Sequence, residues 1–137
     1  MIYLIGSLRH TRVREVAAAL RAHRLEVFDD WHSAGPEADD IWQRYEQERG
    51  RSYREALKGK HARNVFEYDK RNLDSSRAGV LVMPAGKSAN RELGYLVGQG
   101  KPVYTLLEQE PLRWDIMECF SADVFYQIDE LIKELTR

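Results

Sequence analysis

Val80-Leu81-Val82-Met83-Pro84-Ala85-Gly86-Lys87-Ser88-Ala89-Asn90-Arg91-Glu92-Leu93-Gly94-Tyr95, followed by Gly98-Gln99-Gly100-Lys101-Pro102-Val103, is the stretch whose reading decides the fold. Val80–Met83 is an apolar run of strand length, ended by Pro84. The loop Ala85-Gly86-Lys87-Ser88 leads into a helix that the pattern starts near Ala89 or Asn90. Gly100 closes that helix as a C-terminal glycine. Pro102–Leu107 is then a second strand. A strand, a helix and a strand in this order require a crossover, which makes the two strands parallel.

The same alternation extends in both directions. Ile2–Ile5 is a short apolar run ending at Gly6-Ser7, and Val13, Val16, Ala17 and Leu20 recur at helical spacing after it. Leu25–Phe28 reads as a strand closed by Asp29-Asp30, followed by a polar, aromatic-rich insert from Trp31 to Pro36. From Glu37 to about Arg77 the pattern is helical and charged, with a break near Lys58-Gly59. Ile41 and Tyr45, then Ala62, Val65 and Phe66, predict two amphipathic helices, each with one buried stripe. Beyond Leu107, Pro111–Glu118 reads as a short helix, Val124-Phe125 as a last strand and Ile128–Leu135 as the final helix. The expectation is an α/β domain over residues 1–137, with a parallel sheet covered on both faces.

A chain of 137 residues leaves little room for a second core. Hydrophobic residues at 43% and charged residues at 31% are the balance of a globular protein. No apolar run approaches the roughly 18 residues that a membrane helix needs, and no basic leader precedes Ile2, so a cytoplasmic protein is expected. The single cysteine, Cys119, excludes an intrachain disulfide. With 21 basic and 22 acidic residues, the chain lacks the basic excess of a nucleic-acid binder. The four histidines show no zinc-like spacing and read as surface residues, so no metal is expected.

In parallel sheets, ligands bind beyond the carboxyl ends of the strands, where strand order reverses. That directs attention to Gly6–Arg12, Asp29–Pro36 and Pro84–Asn90. Gly6 allows a tight turn, and Ser7 with Arg9 or Arg12 can meet an anion. Gly86 and Ser88 make the next loop ligand-sized, and Glu92 falls in what reads as the first turn of its helix. Gly94 leaves room for another element to pack closely. Asp69 and Asp74 precede the buried strand on a helix, and their spacing is read as placing them near one face. A second carboxyl beside Glu92 supplies the nucleophile and acid/base pair that glycosyl transfer uses.

Tyr3-Leu4-Ile5-Gly6-Ser7-Leu8-Arg9, Asp69, and the stretch from Val80 to Val103 together resemble the nucleoside 2-deoxyribosyltransferase superfamily, which includes 2′-deoxynucleoside 5′-monophosphate N-glycosidases. The resemblance covers nearly the whole chain in order and is strongest from Asp69 to Val103. It implies a flavodoxin-like three-layer sandwich with five parallel strands, a homodimer or higher homo-oligomer, and no metal or organic cofactor. It implies a small nucleoside or nucleotide as substrate, with Glu92 as nucleophile, Asp69 beside the scissile bond and Tyr3 orienting the site. Gly6, Ser7 and Arg9 match the segment that meets a 5′-phosphate, while Gly86, Ser88 and Asn90 lie on the loop facing sugar or phosphate. Three features depart from the pattern: Arg77 stands where an aspartate is common, Asn90-Arg91 replaces His-Leu, and the insert from Phe28 to Asp40 is not shared. In that insert Trp31 or His32 can stack on a base, and a buried structural tryptophan fits equally. Two other readings stay open. One is a catalytically silent nucleotide- or partner-binding module, and the other is a domain that cleaves nicotinamide dinucleotides.

Overall fold

The structure is a computed structural model and describes residues 1–137. Five strands form one all-parallel sheet: β1 (Ile2–Ile5), β2 (Val27–Phe28), β3 (Ala78–Val82), β4 (Val103–Leu106) and β5 (Asp123–Phe125), in the order β2-β1-β3-β4-β5. Around it lie α1 (Arg12–Ala22), α2 (Ala38–Glu48), α3 (Tyr53–Leu57), α4 (Lys60–Ser75), α5 (Lys87–Gly98) and α6 (Ile128–Leu135). This is an α/β sandwich consistent with the flavodoxin-like arrangement. The chain steps from β1 outward to β2, then crosses to β3 on the other side of β1. The order therefore reverses between β1 and β3.

Strand alternation divides the core in two. Ile2 and Leu4 of β1, with Val80 and Val82 of β3, pack with Val13, Val16, Leu20, Leu131 and Leu135. Tyr3, Ile5 and Leu81 point to the opposite face, against Phe28, Leu73, Ala89, Leu93 and Leu96. Every residue of β1 and β3 is buried, as a strand covered on both faces requires. Gly79 is the one β3 residue without a side chain to pack. A Cβ there would stand 2.7 Å from Leu96 Cδ1, so this glycine sets how closely α5 approaches the sheet.

Several boundaries differ from the sequence reading. β2 is reduced to Val27–Phe28, because the chain leaves α1 through Arg24 at φ 63° and the Leu25 amide still donates to the Leu20 carbonyl. The 37–77 region holds three helices rather than two. Besides the expected break at Lys58-Gly59, the buried Glu46 carboxylate takes the Arg51 guanidinium, and Ser52 with Glu55 forms a capping box that starts α3. The expected helix at Pro111–Glu118 is a 3-10 segment at Ile116–Phe120, opened by Asp115 accepting from the Met117 amide at 3.0 Å. Leu112 and Trp114 are exposed there and supply no buried face for a longer helix.

The stripes expected to be buried on α2 and α4 are exposed instead: Ile41, Tyr45, Val65 and Phe66 each keep about half their surface. Length explains it. α4 has 16 residues and spans about 24 Å, whereas the five residues of β3 span roughly 16 Å. Only the far end of α4, at Leu73, is buried. Its first half, with α2 and α3, extends past the packed core. None of the helices is long and apolar enough to cross a membrane.

Candidate active site

Three side chains named from the sequence meet on the α4/α5 side of β1. Tyr3 is on that face by strand alternation and is fully buried. Glu92 arrives from α5, whose buried residues are Ala89, Leu93 and Leu96. Three residues after Ala89 and four before Leu96, Glu92 sits on the inward stripe and presents a carboxyl where an apolar side chain would be expected. α5 starts at Lys87, so Glu92 belongs to the second turn and not the first. Its proximity to Tyr3 therefore comes from packing against the sheet rather than from an end-of-helix position. Asp69 comes from α4 in the same manner, one turn before the buried Leu73.

The electrostatics tie the three together. Burial pushes the Glu92 carboxyl up to about 7, with a further upward push from Asp69, while the Tyr3 hydroxyl pulls the other way. Burial and then the Asp30 charge push Asp69 up to about 6. Tyr3 itself is driven far above the ordinary phenol range, by burial first and by Glu92 second. Its hydroxyl makes no hydrogen bond within 3.5 Å, so Glu92 is its strongest polar neighbour without being a full partner. Asp69, with the lower value, ionises first and its charge helps to hold the proton on Glu92, so that between about pH 6 and 7 the two carboxyls keep about one proton, mainly on Glu92.

Asp74 stands elsewhere. Five residues along a helix is a rotation of about 140°, so it does not share the face of Asp69. It accepts from the Tyr95 hydroxyl at 2.5 Å, Gln99 Nε2 at 2.8 Å and Lys70 Nζ at 3.1 Å. Those bonds hold its carboxyl down at about 2. Lys101 adds to the same joint, donating to the Leu73 and Asp74 carbonyls at 2.9 Å each and so capping α4. The Gly-Lys-Pro segment thus fastens the helix of Asp69 beneath the helix of Glu92.

The first loop is shaped by close packing. A Cβ on Gly6 would lie 3.0 Å from Val13 Cγ2 and 3.5 Å from the Trp31 ring. Ser7 Oγ accepts from the Arg9 amide at 3.1 Å, and the Arg9 guanidinium pairs with Asp40 of α2 at 3.1 Å. Ser7, Arg9, His10, Pro84 and Ala85 line a groove of about 290 Å³ at the carboxyl ends of β1 and β3. Trp31 is half-buried and donates its indole N–H to the Leu4 carbonyl at 2.8 Å, packing against both core halves. His32, expected at the surface, is buried and bonds the His10 carbonyl at 3.0 Å. Asn90 donates to the Gly86 carbonyl one turn back at 3.1 Å, and Gly86 and Ser88 are exposed. Gly94 has open space around it, so no element uses the room it leaves.

Two residues beside the carboxyl pair were missed. Asp30 follows β2, and Tyr68 is the residue before Asp69; the Tyr68 hydroxyl donates to Asp30 Oδ2 at 2.7 Å. A ring chain runs from Tyr3 to Phe28 (5.0 Å between centroids) and on to Tyr68 (5.7 Å). The paired acids Asp29-Asp30 were visible in the sequence only as a strand terminator. No three His, Cys, Asp or Glu side chains converge in a way that could hold a metal ion. Compared with known proteins, the chain matches no family model and no curated protein.

Proposed function

We propose that the protein cleaves the N-glycosidic bond of a nucleoside, deoxynucleoside or 5′-monophosphate by a retaining mechanism. The observation that carries this reading is the pair Asp69 and Glu92, brought from two helices to the buried Tyr3 hydroxyl and sharing about one proton near neutral pH. Retaining glycosyl transfer needs one ionised carboxylate and one carboxylic acid. Here Asp69 ionises before Glu92, so the reactive form, with Glu92 as carboxylate and Asp69 as acid, is reached by moving the remaining proton from Glu92 to Asp69.

In the first step a Glu92 oxygen bonds to the anomeric carbon as the carbon–nitrogen bond breaks. The bonding electrons leave with the base, which takes the Asp69 proton. Positive charge developing on the sugar is stabilised by the adjacent carboxylate. In the second step water or another base attacks the same carbon, Asp69 removes its proton, and the Glu92 ester bond breaks. In this reading a 5′-phosphate would be met by Ser7 and Arg9, which line the groove at the carboxyl ends of β1 and β3. Trp31 holds the loop that follows β2 against β1 through its Leu4 bond. Assembly with a second copy, which the resemblance implies, is supported by the exposed apolar side chains of α2–α4 and of the segment from Leu112 to Phe120.

The test is release of free base from nucleosides, deoxynucleosides, their 5′-monophosphates and NAD, followed by chromatography, with a second base added to detect transfer. Release abolished by Glu92→Gln supports the reading. A folded protein that binds nucleotides and releases no base from any of them favours a silent binding module instead.

A further inference from the structure

His10 ties together three segments at the carboxyl edge of the sheet. Its ring, on the loop between β1 and α1, is mostly buried. Nε2 lies 3.2 Å from the Met83 carbonyl just past β3 and 3.2 Å from Glu108 Oε1 just past β4. A carbonyl can only accept, so Nε2 carries the hydrogen and donates to Met83. His32 holds the same residue from the other side, its Nε2 donating to the His10 carbonyl at 3.0 Å. The second ring nitrogen of His10, Nδ1, has no hydrogen-bond partner in the protein. On a neutral ring whose hydrogen sits at Nε2, that nitrogen is an acceptor.

The groove that His10 lines is poorly equipped for an anion. Among its five lining residues Arg9 alone carries a fixed positive charge, and Asp40 takes it at 3.1 Å. The Arg9 and His10 amides turn inward, donating to Ser7 Oγ and to the Ser7 carbonyl at 3.1 Å each. Glu108 sets a half-exposed carboxylate against the ring that forms the wall. A phosphate seated there needs free N–H donors and cations, whereas a hydroxyl needs one acceptor.

We propose that His10 is a specificity-determining residue: its Nδ1 accepts a hydrogen bond from the 5′-hydroxyl of a nucleoside, and Glu108 beside it disfavours a 5′-phosphate in the groove. The inference rests on the reading of the groove as the seat of the sugar's 5′ end, and it narrows the substrate to the unphosphorylated nucleoside. Glu108 contributes twice, by its own charge and by standing at the ring nitrogen that must keep the hydrogen.

Ring-nitrogen NMR of His10 in the full chain tests this without turnover. At about pH 8, above the ordinary imidazole range, the free protein should show hydrogen on Nε2 and none on Nδ1; hydrogen on Nδ1 overturns the proposal. The common nucleosides and deoxynucleosides, and their 5′-monophosphates, are then titrated in at that pH. A nucleoside that binds should shift the Nδ1 signal and bind at least about tenfold more tightly than its 5′-monophosphate. Glu108→Gln should narrow that ratio by improving the monophosphate, and His10→Lys, which puts a cation in place of the acceptor, should invert it. A bound nucleoside that leaves Nδ1 unmoved, a monophosphate that binds equally well, or binding of neither overturns the proposal. The native measurements stand even where a variant does not fold. Nucleoside binding without base release sinks the glycosidic reading and leaves the His10 contact standing. Base release from monophosphates as readily as from nucleosides sinks the His10 assignment alone.

Discussion

Tyr95 on α5 donates its hydroxyl to Asp74 on α4 at 2.5 Å, so the helix that carries Glu92 is latched to the helix that carries Asp69. Gln99 and Lys70 converge on the same carboxylate. The latch joins the two helices that carry the carboxyl pair. In Tyr95→Phe the far-UV circular dichroism should be unchanged while base release falls about tenfold, as small misplacements of reacting groups do. Unchanged release would mean that core packing alone sets the spacing.

The latch has a defined acid limit. Asp74 titrates at about 2 in the fold, against an ordinary value of 3.8. A depressed carboxyl stabilises above its unfolded value, and that contribution is lost as pH falls through the folded one. Between about pH 4 and 2 the native chain should therefore lose stability faster than Asp74→Asn, measured by urea unfolding across that range.

Glu92 carries the opposite sign. Its folded value of about 7 exceeds the ordinary 4.5, so its contribution is fully present below about 4.5 and lost as pH rises through 7. Glu92→Gln should be more stable than the native chain at pH 8 by roughly 1 to 3 kcal/mol, and equal to it at pH 4. The same substitution should lower base release by at least about a thousandfold. Gain of stability with loss of activity is the signature of a site that strains its own fold.

Catalysis by one ionised and one protonated carboxyl predicts a bell-shaped pH dependence of kcat/KM. With ionisations at about 6 and 7, the maximum should lie between them, and because Glu92 has the higher value the reactive form with Glu92 ionised and Asp69 protonated is the minor one of the singly protonated pair. Asp69→Asn should abolish the limb that reports loss of the acid's proton. A flat profile from pH 5 to 8 would separate the pair from the chemistry.

Gly79 tests the scaffold. Alanine there would put a methyl group 2.7 Å from Leu96 Cδ1, with Ile5 and Val103 at 3.3 Å. Overpacking of this kind costs about 1 to 3 kcal/mol, measurable by urea unfolding. Since Leu96 lies one turn beyond Glu92, base release should fall as well.

The sheet was legible because its central strands are continuous apolar runs punctuated by Pro84, Gly100 and Pro102, and periodicity needs nothing beyond the local chain. The convergence of Tyr3, Asp69 and Glu92 was expected through resemblance, although one local sign existed: Glu92 interrupts the inward stripe Ala89-Leu93-Leu96. The Asp30–Tyr68 bond was not legible, since it joins residues from separate elements through a hydroxyl. The stripes on α2 and α4 misled for a related reason. Periodicity reports that a face is apolar, and only the length of the sheet decides whether anything lies beneath it.

The position of β1 has a consequence for how the molecule comes together. Its partner on one side is the two-residue β2, while its longer pairing, with β3, joins residues separated by more than half the chain. Local pieces cannot mature separately when their main hydrogen-bonding seam closes so late. The chain should therefore acquire structure in one concerted event, and fragments ending before Ala78 should be soft and prone to clump, with Tyr3 left facing water.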